Sequence, residues 1–244
     1  MKTVLILGSG PNVVQARDWD LSVFDHVLVI NNAWALRPDW DEMIHPEDFP
    51  EERRPFTLSA SQKITTAEDY VPAQNRYGGF IYAGGTMAFT AAYWALASLK
   101  PSTLAFLGCD MVYPTSGDTH FYGTGTADPL RPDITLQSIE AKSARLMIFA
   151  AMQDCATVNL SSDESRLVYP RSSPAEIEQT DPVPEFYDED LAGLALQRET
   201  ELGYLVPSGR YWEHEDEFDA AALRGIDTLW LKAAGAEYTQ SRVA

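Results

Sequence analysis

Residues 3–11 read Thr-Val-Leu-Ile-Leu-Gly-Ser-Gly-Pro, and the fold is decided there. The run Thr3–Leu7 is continuously apolar, with no polar residue alternating in. A run that short and unbroken is the pattern of a strand buried on both faces, as in a parallel sheet. It ends at once in Gly8-Ser9-Gly10-Pro11, a turn whose proline suits the first turn of a short helix, expected over Asn12–Trp19.

The same texture recurs outward from this stretch. His26–Asn31, Thr103–Leu107 and Ala156–Leu160 read as further buried strands, and Glu42–His45 as a weaker one. Asn32–Trp40 reads as a loop or short helix. Thr86–Leu99 is almost wholly apolar over a helical length, so it is expected to be buried on most sides. Thr135–Gln153 has an amphipathic helical pattern. Residues 50–78 carry Pro50, Pro55 and Pro72, and are expected to form an excursion over the site, with one candidate strand at Phe56–Ser59. Gly79–Ala83 reads as a return to an ordered, strand-like run before Gly84-Gly85. The alternation predicts an α/β, Rossmann-like, mostly parallel sheet with helices on both faces. It spans residues 1–162. Residues 163–244 form a second unit, extended over 165–187 and then helical over Asp188–Leu202 and Glu215–Ala234, packed on the sheet domain.

Composition narrows the classes. The chain has 244 residues, 45% of them apolar, which excludes a disordered chain and a disulfide-stapled mini-protein. Its 18 basic and 36 acidic residues give a net charge of −18, so non-specific binding to nucleic acid or anionic membrane is disfavoured. Residues 176–219 hold 14 of the acids against 2 basic residues, which reads as a solvated acidic face. Cys109 and Cys155 are expected to be buried small hydrophobes. The first residues lack a secretory pattern and no window reaches the length of a membrane span, so a cytoplasmic location is expected. A homo-oligomer stays open.

Four groups stand where chemistry is expected. In an open α/β sheet, ligands bind outside the carboxyl ends of the strands. Gly8, Ser9, Gly10 and Pro11 end the first strand, and the helix start behind them offers N–H groups to a phosphate; a ligand-free turn would use the same residues. Asn31 and Asn32 end the second strand, as donors to a phosphate or ribose or as an Asx turn. Gly84, Gly85 and Thr86 open the buried helix, through close approach to a ligand or simple helix packing. Asp110 ends the fifth-strand region, followed by Tyr113 and by His120 and Tyr122 in a polar loop spanning 111–134. A histidine between hydroxyls and aromatics can act as a base on an acceptor hydroxyl. His26, His45 and His214 form no metal spacing with His120, and neither a dinucleotide fingerprint nor a Walker A loop is present. No metal is expected.

The strings ILGSGP, VLVINNAW, RPDW, YAGGTMAFTAAYWAL, LAFLGCDM and THFYG, in that order, resemble the bacterial sialyltransferases of glycosyltransferase family 42 and the related motility-accessory-factor and pterin-diphosphokinase-like proteins. The resemblance covers about residues 1–162. It implies that Ser9, Gly10 and Asn31 or Asn32 hold a nucleotide phosphate, and that Gly84-Gly85 replaces a Ser-Gly that touches the nucleotide. Tyr113 is the nearest match to a tyrosine that assists the leaving phosphate, one position off. The family's catalytic histidine falls on Thr124, and His120 matches another histidine four places earlier. The implied function is group transfer from a nucleotide-activated sugar, a CMP-sugar by this resemblance, to a hydroxyl acceptor. His120 would be the base and Tyr113 and Tyr122 contacts; the nucleotide-sugar is a substrate and no cofactor is required. Two alternatives remain at this stage: ATP-dependent diphosphate transfer to a pterin-like alcohol, with Mg²⁺ on Asp110 or Asp48, and non-catalytic nucleotide or glycan binding.

Overall fold

The computed structural model describes residues 2–113, 117–124 and 132–236. Parts of the 111–134 loop, residues 114–116 and 125–131, therefore lie outside the described residues, as do 237–244 of the second unit. Among the described residues there are six strands: β1 Thr3–Leu7, β2 His26–Ile30, β3 Glu42–Ile44, β4 Lys63–Thr65, β5 Thr103–Leu107 and β6 Ala156–Asn159. They form one sheet in the order β4-β3-β2-β1-β5-β6, and every pairing is parallel. Leu5 of β1 sits opposite Val27 of β2 and Ala105 of β5.

The unbroken apolar runs are explained by burial on both faces. Val4, Ile6, Leu28, Ile30, Leu104 and Phe106 meet helices α1 (Ala67–Asn75), α3 (Met87–Ser98) and α4 (Ile139–Ala151). Leu5, Leu7, Val27, Val29, Ala105 and Val158 meet 3-10 helices over Pro11–Asp18 and Asn31–Leu36 and the short α5 (Pro174–Gln179). Helical segments thus cover both faces, and this is an α/β, Rossmann-like fold. Ten of the twelve residues of α3 are buried, which is why its sequence carries no polar stripe.

Two further helices, α6 (Glu189–Leu202) and α7 (Ala220–Ala233), pack on α4 and on α2 (Phe80–Ala83). Two fully buried ion pairs join them to the sheet domain. Arg145 of α4 forks onto Glu199 of α6 at 2.8 and 2.7 Å, donates to the Tyr93 hydroxyl at 2.8 Å, and packs over the Phe149 ring at 4.4 Å. Trp230 of α7 donates to the same Glu199 carboxylate, and Lys142 of α4 reaches Asp227 of α7 at 2.7 Å. Of the fourteen acids in 176–219, Glu199 is buried and the other thirteen are exposed, so the acidic excess is a solvated face.

Several expectations are corrected. Gly79–Ala83 is not a strand: Gly79 and Gly84, with φ of +78° and +91°, bracket the helical turn α2. Phe56–Ser59 is not a strand either, and Phe56 is 92% exposed; the strand of this region is β4, a polar edge strand. Helix α1 lies within the supposed excursion despite Pro72, started by a capping box between Thr66 and Asp69. The 165–187 segment contains α5, and Glu215–Ala234 divides into a 3-10 turn and α7. Cys109 and Cys155 are buried and free, and burial pushes both thiols up. No helix among the described residues is long and apolar enough to cross a membrane.

Candidate functional site

The chain leaves β1 toward β2, β3 and β4, then crosses back to build β5 on the other side. The carboxyl ends of β1 and β5 are therefore a topological switch point, where connections diverge and leave a crevice. The loops that bound it are locked together. Gly8 N–H donates to the Leu107 carbonyl and Gly10 N–H to the Gly108 carbonyl, both at 2.8 Å. A Cβ on Gly8 would collide with the Gly108 carbonyl and lie 2.6 Å from Cys109 Sγ, and one on Gly10 would lie 2.8 Å from the same carbonyl. These glycines are required first by loop-on-loop packing, and two of the N–H groups expected to meet a phosphate are already engaged. The backbone N–H groups of Ser9 and Asn12 have no protein acceptor among the described residues.

A cleft of about 440 Å³ opens over these loops. Gly8, Ser9, Gly10, Pro11, Asn31, Asn32, Thr86, Asp110, Tyr113, His120 and Tyr122 all line it. Gly84 and Gly85 do not. A Cβ on Gly84 would press on Lys142, Phe89 and Leu136, and one on Gly85 would collide with the Tyr211 hydroxyl, so both serve packing. Gly85 faces a neighbouring cleft instead.

Two residues in this cleft carry backbone strain. Asn31 and Met111 adopt left-handed conformations with φ of +53° and +54°. The other two non-glycine residues with positive φ among the described residues, Lys100 and Asp154, follow the ends of α3 and α4, where left-handed residues commonly close helices. Asn31 and Met111 instead follow β2 and β5, at the mouth of the crevice. Asn31 Oδ1 is also buried without a hydrogen-bond donor. A strained residue with an unmet buried acceptor is costly unless something else supplies the donor.

Asp110 has a different role. Its Oδ2 accepts from Asn12 Nδ2 at 2.6 Å and its Oδ1 from Asn159 Nδ2 at 2.9 Å, while Asn12 also donates to Ser161 Oγ at 2.7 Å. This network ties the ends of β1, β5 and β6 together, so Asp110 shapes the floor of the cleft.

His120 sits on a small loop folded over the glycine-rich turn. His120 and Gly123 exchange two backbone hydrogen bonds at 3.0 Å, and Phe121 N–H donates to the Ser9 carbonyl at 3.0 Å. Thr119 Oγ1 lies 2.8 Å from His120 Nδ1, and the imidazole stacks on Tyr122 at 5.0 Å. Nε2 makes no protein hydrogen bond among the described residues. Burial lowers the His120 pKa below the usual value, which favours the neutral ring that can accept a proton. Thr124 does not line the cleft; its hydroxyl donates to the Gly117 carbonyl at 3.0 Å.

Arg53, absent from the sequence reading, also lines the cleft. It is exposed and its guanidinium has no protein partner among the described residues. It comes from a short 3-10 turn, Glu51–Arg53, in the proline-rich stretch, where no periodic pattern marks it. It is the one Lys or Arg among the described residues lining the cleft, beside the exposed carboxylates of Asp48, Asp163 and Glu164. Among the described residues no group of three or more His, Cys, Asp or Glu could hold a metal ion. Comparisons with family models, curated proteins and solved structures return no match to this chain.

Proposed function

We propose that this cleft binds a nucleotide-activated sugar, with a CMP-sugar as the first choice of donor, and transfers the sugar to an acceptor hydroxyl. The observation that carries this reading is the convergence at the switch point of an unmet Asn31 amide, two open backbone N–H groups, a free Arg53 and a neutral His120. The N–H groups and Arg53 suit a phosphate, and Asn31 Oδ1 suits a hydroxyl or amine of the nucleoside. In the transfer, the bond from anomeric carbon to phosphate oxygen breaks and the phosphate leaves with the electron pair. The acceptor oxygen bonds to that carbon, and its proton passes to His120 Nε2. Tyr113 and Tyr122, which line the same cleft, would contact the phosphate or the acceptor.

The diphosphate-transfer alternative needs Mg²⁺ on Asp110 or Asp48. Each Asp110 oxygen already accepts an amide hydrogen bond that ties down the cleft floor, so Asp48 is the carboxylate of the two without such a bond. Buried free thiols and the absence, among the described residues, of a membrane-spanning helix support a cytoplasmic setting.

The test is turnover. Wild-type protein should release CMP from a CMP-sugar in the presence of an acceptor, and His120→Ala should cut the rate by about 10²–10⁴ while leaving CMP affinity nearly unchanged. Binding of CMP without turnover of any CMP-sugar would leave a nucleotide-binding protein and remove the transferase reading.

A further inference from the structure

A second cleft, of about 510 Å³, adjoins the first; Pro46, Asp48 and Met87 line both. Its wall is aromatic and continuous. Tyr70 meets Phe80 edge-on at 6.4 Å, Phe80 stacks on Tyr211 at 6.1 Å, and Tyr211 meets Trp212 edge-on at 5.5 Å. Trp212, the last ring of this series, is 58% exposed and leaves its face open to a ligand. Tyr211 is fixed from behind, because its hydroxyl donates to Asp133 Oδ2 at 2.7 Å and its ring occupies the space left by the missing Gly85 side chain.

The rim of this cleft is acidic. Among the described residues, Glu47, Asp48, Asp133 and Glu215 line it, with Arg210 as the one Lys or Arg. Arg210 is itself engaged, 3.4 Å from Glu47 and 3.9 Å from Glu213. The Tyr70 hydroxyl is pushed up to about 12, chiefly by burial and further by the charges of Glu47 and Asp48. Glu47 is held by Arg210 and Asp133 by Tyr211 and Thr135, which leaves Asp48 and Glu215; beside a wall of ring faces, these two attract an organic cation by cation–π contact and by charge. The first cleft has carboxylates of its own, Asp48, Asp110, Asp163 and Glu164, but it adds the open N–H groups of Ser9 and Asn12 and the Arg53 guanidinium, which suit a phosphate.

We infer that the second cleft is the acceptor subsite and that the acceptor is a hydroxyl compound bearing an ammonium group, such as an amino sugar. This rests on the transferase reading of the first cleft, since the two share a wall and an acceptor seated against Trp212 and Tyr211 reaches the donor past Asp48 and Met87. The donor phosphate would be held by the N–H groups and Arg53 of the first cleft, and the cationic acceptor by the ring faces of the second.

Three sugars that differ in charge give the test: glucosamine, N-acetylglucosamine and glucuronate, observed by saturation-transfer NMR on the full chain near pH 7, with CMP titrated separately. Glucosamine is expected to bind about tenfold more tightly than N-acetylglucosamine, and glucuronate not to bind. Trp212→Ala and Glu215→Gln, both at exposed positions, should each weaken glucosamine several-fold and leave CMP binding unchanged. Equal or tighter binding of N-acetylglucosamine overturns the charge selection. No binding of any sugar beside normal CMP binding overturns the subsite and leaves the nucleotide cleft intact. Glucosamine binding without CMP binding overturns the acceptor role together with the transferase reading.

Discussion

Asn31 combines a left-handed backbone with a buried side-chain oxygen that no protein donor meets. Each feature costs stability, and neither is needed to hold β2 in the sheet. Asn31→Gly separates fold from function: glycine accepts the φ of +53° without strain and removes the unmet acceptor. The variant should be as stable as wild type or more so, by up to about 1 kcal/mol in urea unfolding, while CMP affinity falls about tenfold. Unchanged affinity would make Asn31 a turn residue only. His120 is readable by pH. Its pKa in the folded chain lies below the ordinary value because burial disfavours the imidazolium, so the base form persists to lower pH than for a free histidine. The kcat/KM should be flat above about pH 6.5 and fall on acidification through the lowered pKa, and His120→Gln should abolish that limb. The sign for stability is the same: the contribution is complete above the unfolded pKa and is lost as pH falls through the folded one. His45, buried beside Phe49 and also lowered, adds to that loss and has no part in the rate.

At the scale of elements, burial decides what the sequence discloses. The strands β1, β2, β5 and β6 were legible because a strand covered on both faces must be continuously apolar. Strand β4 was not, because it is an edge of three residues whose Lys63 is exposed. Helix α1 was hidden by Pro72, and α2 was misread because Phe-Ile-Tyr-Ala is as apolar as a strand and only the positive φ of its flanking glycines shows the turn. The site was legible to the extent that it follows strand ends. Arg53 lies on an aperiodic turn and left no pattern, and Gly84 and Gly85 looked like ligand glycines while making room for Phe89 and Tyr211. Gly10, similarly, makes a poor probe of phosphate binding, since any larger residue displaces the Gly108 loop before a ligand is involved. The acidic helices pose a separate question. If Arg145 and Glu199 hold α6 and α7 on α4, Glu199→Ala leaves a buried guanidinium unpaired and should cost about 3–5 kcal/mol in urea unfolding. A loss below about 1 kcal/mol would mean that the apolar contacts around Trp230 suffice.

For the molecule as a whole, strand order and charge together dictate where an anionic ligand can sit. A net charge of −18 repels a nucleotide in general, so binding requires a local exception. The switch point between β1 and β5 supplies one, through the open amides of Ser9 and Asn12 and through Arg53. Thirteen of the fourteen acids of 176–219 are exposed on the C-terminal unit, and of these only Glu215 lines either cleft, the second. Amide hydrogen exchange with and without saturating CMP tests this placement most directly, because it reports every segment at once. The expected result is slowed exchange confined to residues 8–12, 31–32, 110–113 and 119–122, with the amides of β3 and α6 unaffected. Unchanged exchange at 8–12 and 31–32, or slowing confined to segments away from the carboxyl ends of β1 and β5, would contradict a nucleotide site at the switch point.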